Sequence, residues 1–133
     1  SYFVHFLDGN LQLRDFLDPG DSAKGVWGDG TYVYVADGDL GLLSYAVDGF
    51  GDLTQLDAHD PGYGASDVYA DGNYIYTAAD GRGLWSYVAD GSGHLTPLDS
   101  ATASGFAEGL WGDGTFIYFA DGTNGLHVYE VTD

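Results

Sequence analysis

The chain has 133 residues, no cysteine and a formal net charge of −18 at pH 7, from three basic and 21 acidic residues. This length suits one domain with a buried core, and the lack of cysteine excludes disulfides and thiolate metal sites. The shortage of basic residues argues against nucleic-acid partners and anionic lipid surfaces, which both need cationic side chains. No apolar run reaches the length of a membrane span.

The first 16 residues contain two short stretches rich in apolar residues. Residues 2–7 form an aromatic, apolar run, Asp8-Gly9-Asn10 is a turn sequence, and residues 11–16 form a second run before Asp18-Pro19-Gly20. Short apolar runs bounded by Gly and Pro turns are typical of strands. We therefore predict two strands in residues 1–24.

A turn–strand–turn pattern then recurs at a fixed spacing. Asp-Gly pairs open it at Asp29, Asp71 and Asp113, which lie 42 residues apart each time. Asp-Gly between apolar runs favours a tight hairpin, because Gly tolerates positive φ and Asp bonds its own backbone. Each period holds short strands linked by such turns, which predicts an antiparallel meander in every repeat.

The second strand of each repeat predicts how the meanders pack. Tyr32 and Tyr34 alternate with Val33 and Val35, so both faces of this strand are apolar. A strand of this kind is covered on both sides. Four-stranded sheets stacked on copies of themselves at this period are the blades of a β-propeller. We predict an all-β fold of about three four-stranded blades: one domain, 1–133, divided into a partial blade 1–24, blades 25–66 and 67–108, and a partial blade 109–133.

One sequence string carries a family resemblance. Tyr-x-Tyr-x-Ala-Asp-Gly-x-x-Gly-Leu-x-x-Tyr-x-Val stands at residues 32–47, and a variant of it stands at residues 116–131. The string resembles the LVIVD-type repeat of bacterial and archaeal surface or secreted β-propeller proteins. Asp48-Gly49-Phe50-Gly51 and Asp90-Gly91-Ser92-Gly93 depart from the Asp-Pro-Ser-type turn common in that family, and residues 90–98 are similar to the outer hairpin of lactonase-type propellers. The resemblance implies a propeller with an extracellular or cell-surface location, and it implies no catalytic residue.

Two sets of residues are candidate ligand sites. Asp37 and Asp39 place two carboxylates in one turn, and oxygen ligands in loops suit calcium, although turn-forming Asp is the simpler interpretation. Trp27, Tyr69 and Trp111 share one position in the three repeats. They either stack on sugar rings, as in a lectin-like propeller, or pack between blades as buried aromatics do.

The predicted blades leave the two ends of the stack without neighbours. Known propellers close with about four to eight blades, so three need partners: further copies joined head to tail in a ring or fibre, or further repeats of a longer chain. We therefore predict a non-catalytic structural or interaction module that self-associates. A carbohydrate-binding propeller is the first alternative, and a lactonase-type hydrolase fragment is the second. The hydrolase needs a metal cage at the axis. The four His occupy four different positions of the repeat, so they form no ring of imidazoles there.

Overall fold

The computed structural model describes residues 9–62, 64–72, 74–81, 83–102 and 106–132, and these residues form three antiparallel sheets. The strands are β1 (Gly25–Gly28), β2 (Tyr32–Ala36), β3 (Leu42–Val47), β4 (Leu53–His59), β5 (Ala65–Ala70), β6 (Ile75–Ala79), β7 (Gly83–Ala89), β8 (Leu95–Ala101), β9 (Gly109–Gly112), β10 (Phe116–Ala120) and β11 (Leu126–Glu130). A 3-10 turn, Gly122–Asn124, precedes β11. Within the described ranges, no helix is long and apolar enough to cross a membrane.

Each sheet pairs its strands in chain order, as a meander does. The first blade is β1-β2-β3-β4, the second is β5-β6-β7-β8, and the third is β9-β10-β11. The inner strands β1, β5 and β9 lie close to one another, whereas the outer strands β4 and β8 barely touch. The sheets therefore fan outward from their first strands, which confirms the predicted all-β propeller blades.

The Asp-Gly turns form as the sequence predicts. In the first blade, Asp29 Oδ1 accepts hydrogen bonds from the backbone N–H groups of Thr31 and Tyr32, both at 2.8 Å. The glycine that follows has a φ of +92°, a conformation that glycine adopts without the steric cost of a side chain. The turn at Asp113 repeats these bonds. This bonding fixes the start of the second strand in each blade.

The central strand β6 shows why the blades stack. All five of its residues are buried. Ile75 belongs to an apolar cluster shared with the first blade, while Tyr76 belongs to a second cluster shared with the third blade. Both faces of the second blade are therefore covered by neighbouring sheets, as predicted from its alternating apolar residues.

The prediction of a strand at residues 11–16 is wrong in the described part of the chain. No strand occurs between residues 9 and 24, and Leu11, Leu13 and Phe16 are largely exposed. An alternating pattern forms a strand only where a neighbour supplies a hydrogen-bond ladder, and no described strand pairs with this segment. The strand predicted at residues 2–7 lies outside the described residues.

Candidate functional site: the two end faces

The interface between the first and second blades shows how one blade covers the next. Three hydrogen bonds join side chains of the first blade to the turn between β7 and β8 and to the first residue of β8. Tyr32 Oη donates to the carbonyl oxygen of Gly91 at 3.0 Å, and Ser44 Oγ donates to that of Gly93 at 2.8 Å. Asp57 Oδ2 accepts from the N–H of Leu95 at 2.7 Å. The outer hairpin of one blade is thus held by the face of the blade before it.

The carboxylate of Asp57 is the best-bonded group in this interface. Its Oδ1 accepts from the N–H of Ala58 at 2.8 Å, and His94 Nδ1 lies 2.9 Å from its Oδ2. Burial raises the pKa of Asp57, but the amides of Leu95 and Ala58, together with His94, outweigh burial and lower the pKa below the ordinary value. A carboxylate that accepts backbone N–H bonds is stabilised in its charged form.

An apolar cluster lies beneath these polar contacts. Leu95 is buried against residues from both blades. The buried members around it include Tyr34, Leu42, Ile75 and Tyr87. Burying a side chain of leucine size stabilises a fold by about 1.5–3 kcal/mol, so this cluster provides more of the blade-to-blade contact energy than any single hydrogen bond.

Residues 9–24 lie against the first blade in the same relation. Asp15 stands 42 positions before Asp57, and its Oδ2 accepts from the N–H of Leu53 at 2.9 Å, as Asp57 does from Leu95. The Leu53 amide lowers the pKa of Asp15 as well. The segment therefore takes the place of the outer strand of a preceding blade, although the described residues supply no sheet for it.

The third blade presents an uncovered face. Leu42, Leu84 and Leu126 occupy one position in the three repeats. Leu42 is fully buried and Leu84 is nearly so, but Leu126 is 68% exposed. Val128 and Trp111 are also largely exposed on this blade. The face that packs on a neighbour in the first two blades is apolar and open in the third.

The first blade presents the opposite face, which is open around β1 and β2 but buried further out, at Leu43 and Tyr45 of β3. Val26, Val68 and Leu110 share one repeat position; Val68 and Leu110 are buried, whereas Val26 is 70% exposed. Val33 and Val35 are only partly buried, while Ile75, at the position of Val33, is buried. The two end faces therefore correspond to the two sides of the interfaces found inside the molecule.

The three candidate sugar-binding aromatics stack within their own blades. Trp27 stacks on Tyr34, with ring centroids 6.1 Å apart, and Trp111 stacks on Tyr118 at 6.0 Å. Tyr69 stacks on Tyr76 and also meets Trp111 at 6.3 Å. Trp27 and Tyr69 are partly buried and Trp111 is exposed, so Trp111 offers the most open ring of the three.

The two candidate calcium ligands differ in exposure. Asp37 is fully buried, and among the described residues no group meets hydrogen-bond geometry with its carboxylate, although the Ser22 amide lies near enough to favour the charged form. Asp39 is exposed, and its N–H donates to Asp21 Oδ2 at 2.7 Å. Burial raises the pKa of Asp37, and the nearby Asp21 carboxylate adds to the rise. Among the described residues, no three His, Asp or Glu side chains lie close enough together to hold a metal ion.

Sequence reasoning missed the residues that join the blades. The series Asp15, Asp57 and Asp99 recurs at the repeat spacing, and two of its members bond the next repeat. The signal was present in that spacing. These aspartates lie outside the Asp-Gly turns, however. Leu95, the partner of Asp57, is 38 residues away along the chain, a distance at which no local sequence pattern identifies a contact.

Comparisons with known proteins agree with this architecture. The model of the LVIVD repeat matches residues 20–43, 62–85 and 104–131, and no curated protein matches the chain. Among solved structures, the computationally designed Ika4 protein is similar, with a TM-score of 0.52, 10% sequence identity, and coverage of 92% of this chain and 99% of that chain. At that identity the similarity concerns the fold alone. Because the three matched segments together span more than half of the sequence, the chain belongs to the LVIVD repeat family.

Proposed function

We propose that this protein is a non-catalytic structural or interaction module that assembles head to tail with copies of itself at the cell surface or outside the cell. The observation that carries the proposal is the change of Leu126 from a buried position in the earlier repeats to an exposed one in the third. Large exposed apolar patches commonly mark interaction sites. The occupant we propose is the part of the first blade's face that is open around Val26, in a second copy of the chain.

The two faces differ, so the association is heterologous. Such contacts give a ring when the rotation closes and a filament when it does not. Two copies would bring together about six blades, which falls within the range of about four to eight found in closed propellers. Further repeats on a longer chain would cover the same faces and compete with a second copy.

Complementary single substitutions test the direction of assembly. Val26→Asp places a charge on the open face of the first blade, and Val128→Asp places one on the open face of the third. Both side chains are exposed, so each variant should fold. We expect the wild type to show masses above the monomer by sedimentation equilibrium, and each variant to remain monomeric alone. Since each retains the other face, their mixture should form a one-to-one dimer.

A matched control separates a specific effect from added charge. Thr96→Asp introduces the same carboxylate at an exposed position of the outer strand β8 and should associate as the wild type does. A wild type that stays monomeric at all concentrations would contradict the proposal. Self-association of Val26→Asp alone would replace head-to-tail assembly with contacts between like faces.

Salt should strengthen this association. Each copy carries a formal charge of −18, so copies repel one another at low ionic strength. The screening length falls from about 30 Å at 0.01 M salt to about 3 Å at 1 M. We expect the dissociation constant to fall over that range, and a rise would show that ion pairs rather than apolar faces hold the copies together.

A carbohydrate-binding function is the second candidate, supported by a small groove between the first and second blades. The groove has a volume of about 120 Å³, and Trp27, Tyr32, Asp29 and Asp90 are among its lining residues. Aromatic rings beside carboxylates suit sugar rings with their hydroxyl groups. A glycan array is the test: binding lost on Trp27→Ala or Trp111→Ala supports this function, and an array without binding removes it.

A further inference from the structure

A groove lies between the second and third blades. It has a volume of about 320 Å³, and its lining includes apolar and polar side chains of both blades: Tyr76, Leu84, Ser86, Asp99, Ile117 and Tyr129. Tyr76, Leu84 and Ile117 are buried, and Tyr129 is partly buried. The groove is therefore an apolar floor with a carboxylate at its rim.

The equivalent place between the first and second blades is filled. Four residues of the groove floor are Tyr76, Leu84, Ile117 and Tyr129. Their repeat equivalents, 42 positions earlier, are Tyr34, Leu42, Ile75 and Tyr87. These are members of the cluster that packs with Leu95, in the hairpin of the second blade. The groove thus has the composition of the site that receives Leu95, without a described residue in the position of that leucine.

The carboxylate at the rim is oriented as its counterpart is. Asp99 Oδ1 accepts from the N–H of Ser100 at 2.8 Å, as Asp57 Oδ1 accepts from the N–H of Ala58 at 2.8 Å. Asp57 Oδ2 then accepts from the N–H of Leu95. Among the described residues, none donates to Asp99 Oδ2, so this oxygen is placed to accept a backbone N–H from outside.

Residues 9–11, the first described residues, are the repeat equivalents of the residues that fill the corresponding site between the first two blades. Gly9, Asn10 and Leu11 occupy the repeat positions of Gly93, His94 and Leu95. Gly9 has a φ of +82° and Gly93 a φ of +78°, so the two glycines share a positive φ, which favours glycine. Leu11 is 99% exposed, whereas Leu95 is buried.

We infer that the groove between the second and third blades is the binding site for residues 9–11 of a second copy, with Leu11 on the apolar floor and its N–H donating to Asp99 Oδ2. The inference rests on the proposed head-to-tail assembly and specifies where the copies join. Residues 11–16 of the second copy then lie beside β11 and form the outer strand that this sheet lacks among the described residues.

Two exposed leucines provide a matched test in the full-length chain. Leu13 is also exposed, but its repeat equivalents, Gln55 and Pro97, are exposed too, so Leu13→Ala serves as the control. We expect Leu11→Ala to weaken association about 10- to 100-fold, because burying a leucine has that effect on a binding constant, and Leu13→Ala to change it little. Equal effects of the two substitutions would overturn the inference.

Substitution of the carboxylate is the second arm. Asp99→Ala removes the acceptor at the rim and should weaken association about tenfold or more, the effect expected for a hydrogen bond to a charged group. Because Asp99 is exposed, the thermal midpoint of the dilute monomer should not change. Association at wild-type strength would show that Asp99 holds no partner.

A peptide test does not depend on self-association. A fluorescently labelled peptide of residues 9–17 is titrated onto the 133-residue chain and followed by anisotropy. We expect saturable binding that weakens about tenfold or more when the peptide carries Leu11→Ala or the chain carries Asp99→Ala. Peptide binding by a chain that never self-associates would support the groove as a binding site and contradict the proposed self-association. If Val128→Asp abolishes association but the wild-type and Leu11→Ala peptides bind equally, the proposed self-association is supported and the groove is not the site where the copies join.

Discussion

The face of the first blade that contacts the second and the equivalent face of the third blade have nearly the same strand pattern but different surroundings. Leu42 is covered by a neighbouring sheet, and Leu126, two repeats later, faces solvent. The polar groups differ as well: Ser44 bonds the next blade, while Val128 stands at its position in the third. The comparison teaches that the stability of each blade comes from its neighbour, and that the uncovered face is even more apolar than the covered one.

The largest expected difference follows from deleting the same side chain at both positions. Leu42→Ala should lower the free energy of unfolding by about 2–5 kcal/mol, because it leaves a cavity in a packed core. Leu126→Ala should change it by less than about 0.5 kcal/mol in dilute solution, as exposed substitutions do. Urea denaturation measures both. Equal losses would mean that the third blade is covered in the monomer.

The next difference concerns the carboxylates of the outer strands. Asp57→Ala removes an acceptor bonded to two backbone amides and should cost about 1.5–3 kcal/mol, the range for hydrogen bonds to charged groups. Asp99→Ala should have little effect on the dilute monomer, since Asp99 accepts only the adjacent Ser100 amide within the described residues. Denaturation curves that shift equally for both variants would contradict the assigned role of Asp57.

A smaller effect is expected from the hydroxyl that joins the same blades. Ser44→Ala loses the bond to the Gly93 carbonyl and should cost about 1 kcal/mol. Ser86→Ala is the control, because the Ser86 hydroxyl lies 3.4 Å from an exposed carbonyl of Asp99, near the limit of a hydrogen bond. Thermal unfolding of the two variants should separate them, and identical midpoints would remove Ser44 from the interface.

Acid should weaken the covered interface through Asp57, and this is the smallest effect. Its pKa is lower in the folded chain than the ordinary value of about 3.9, so the stability it contributes is present above about pH 4 and is lost as pH falls through the folded pKa. The gap in unfolding free energy between wild type and Asp57→Ala should therefore narrow below about pH 4. A gap that widens in acid would reverse the sign assigned to this group.

The sequence was enough to predict what depends on local pattern and strict spacing. Two apolar faces on β6 predicted a sheet covered on both sides, and both faces are buried. The strand predicted at residues 11–16 failed because a strand depends on a hydrogen-bonded neighbour that alternation cannot guarantee. The turn sequence made Asp37 a candidate calcium ligand but could not indicate that its carboxylate is buried, because burial depends on how the turn after β2 packs. Contacts such as Asp57 with Leu95 join distant repeats, so only the folded chain reveals them.

The most direct measurement of the central claim is amide hydrogen exchange at the three equivalent leucines, Leu11, Leu53 and Leu95, read by NMR. In dilute solution we expect the Leu53 and Leu95 amides to be protected by Asp15 and Asp57, and the Leu11 amide to exchange freely. At concentrations where copies assemble, the Leu11 amide should become protected like the other two. A Leu95 amide that exchanges as fast as that of Leu11 in dilute solution, or a Leu11 amide that stays unprotected in the assembled protein, would contradict the account.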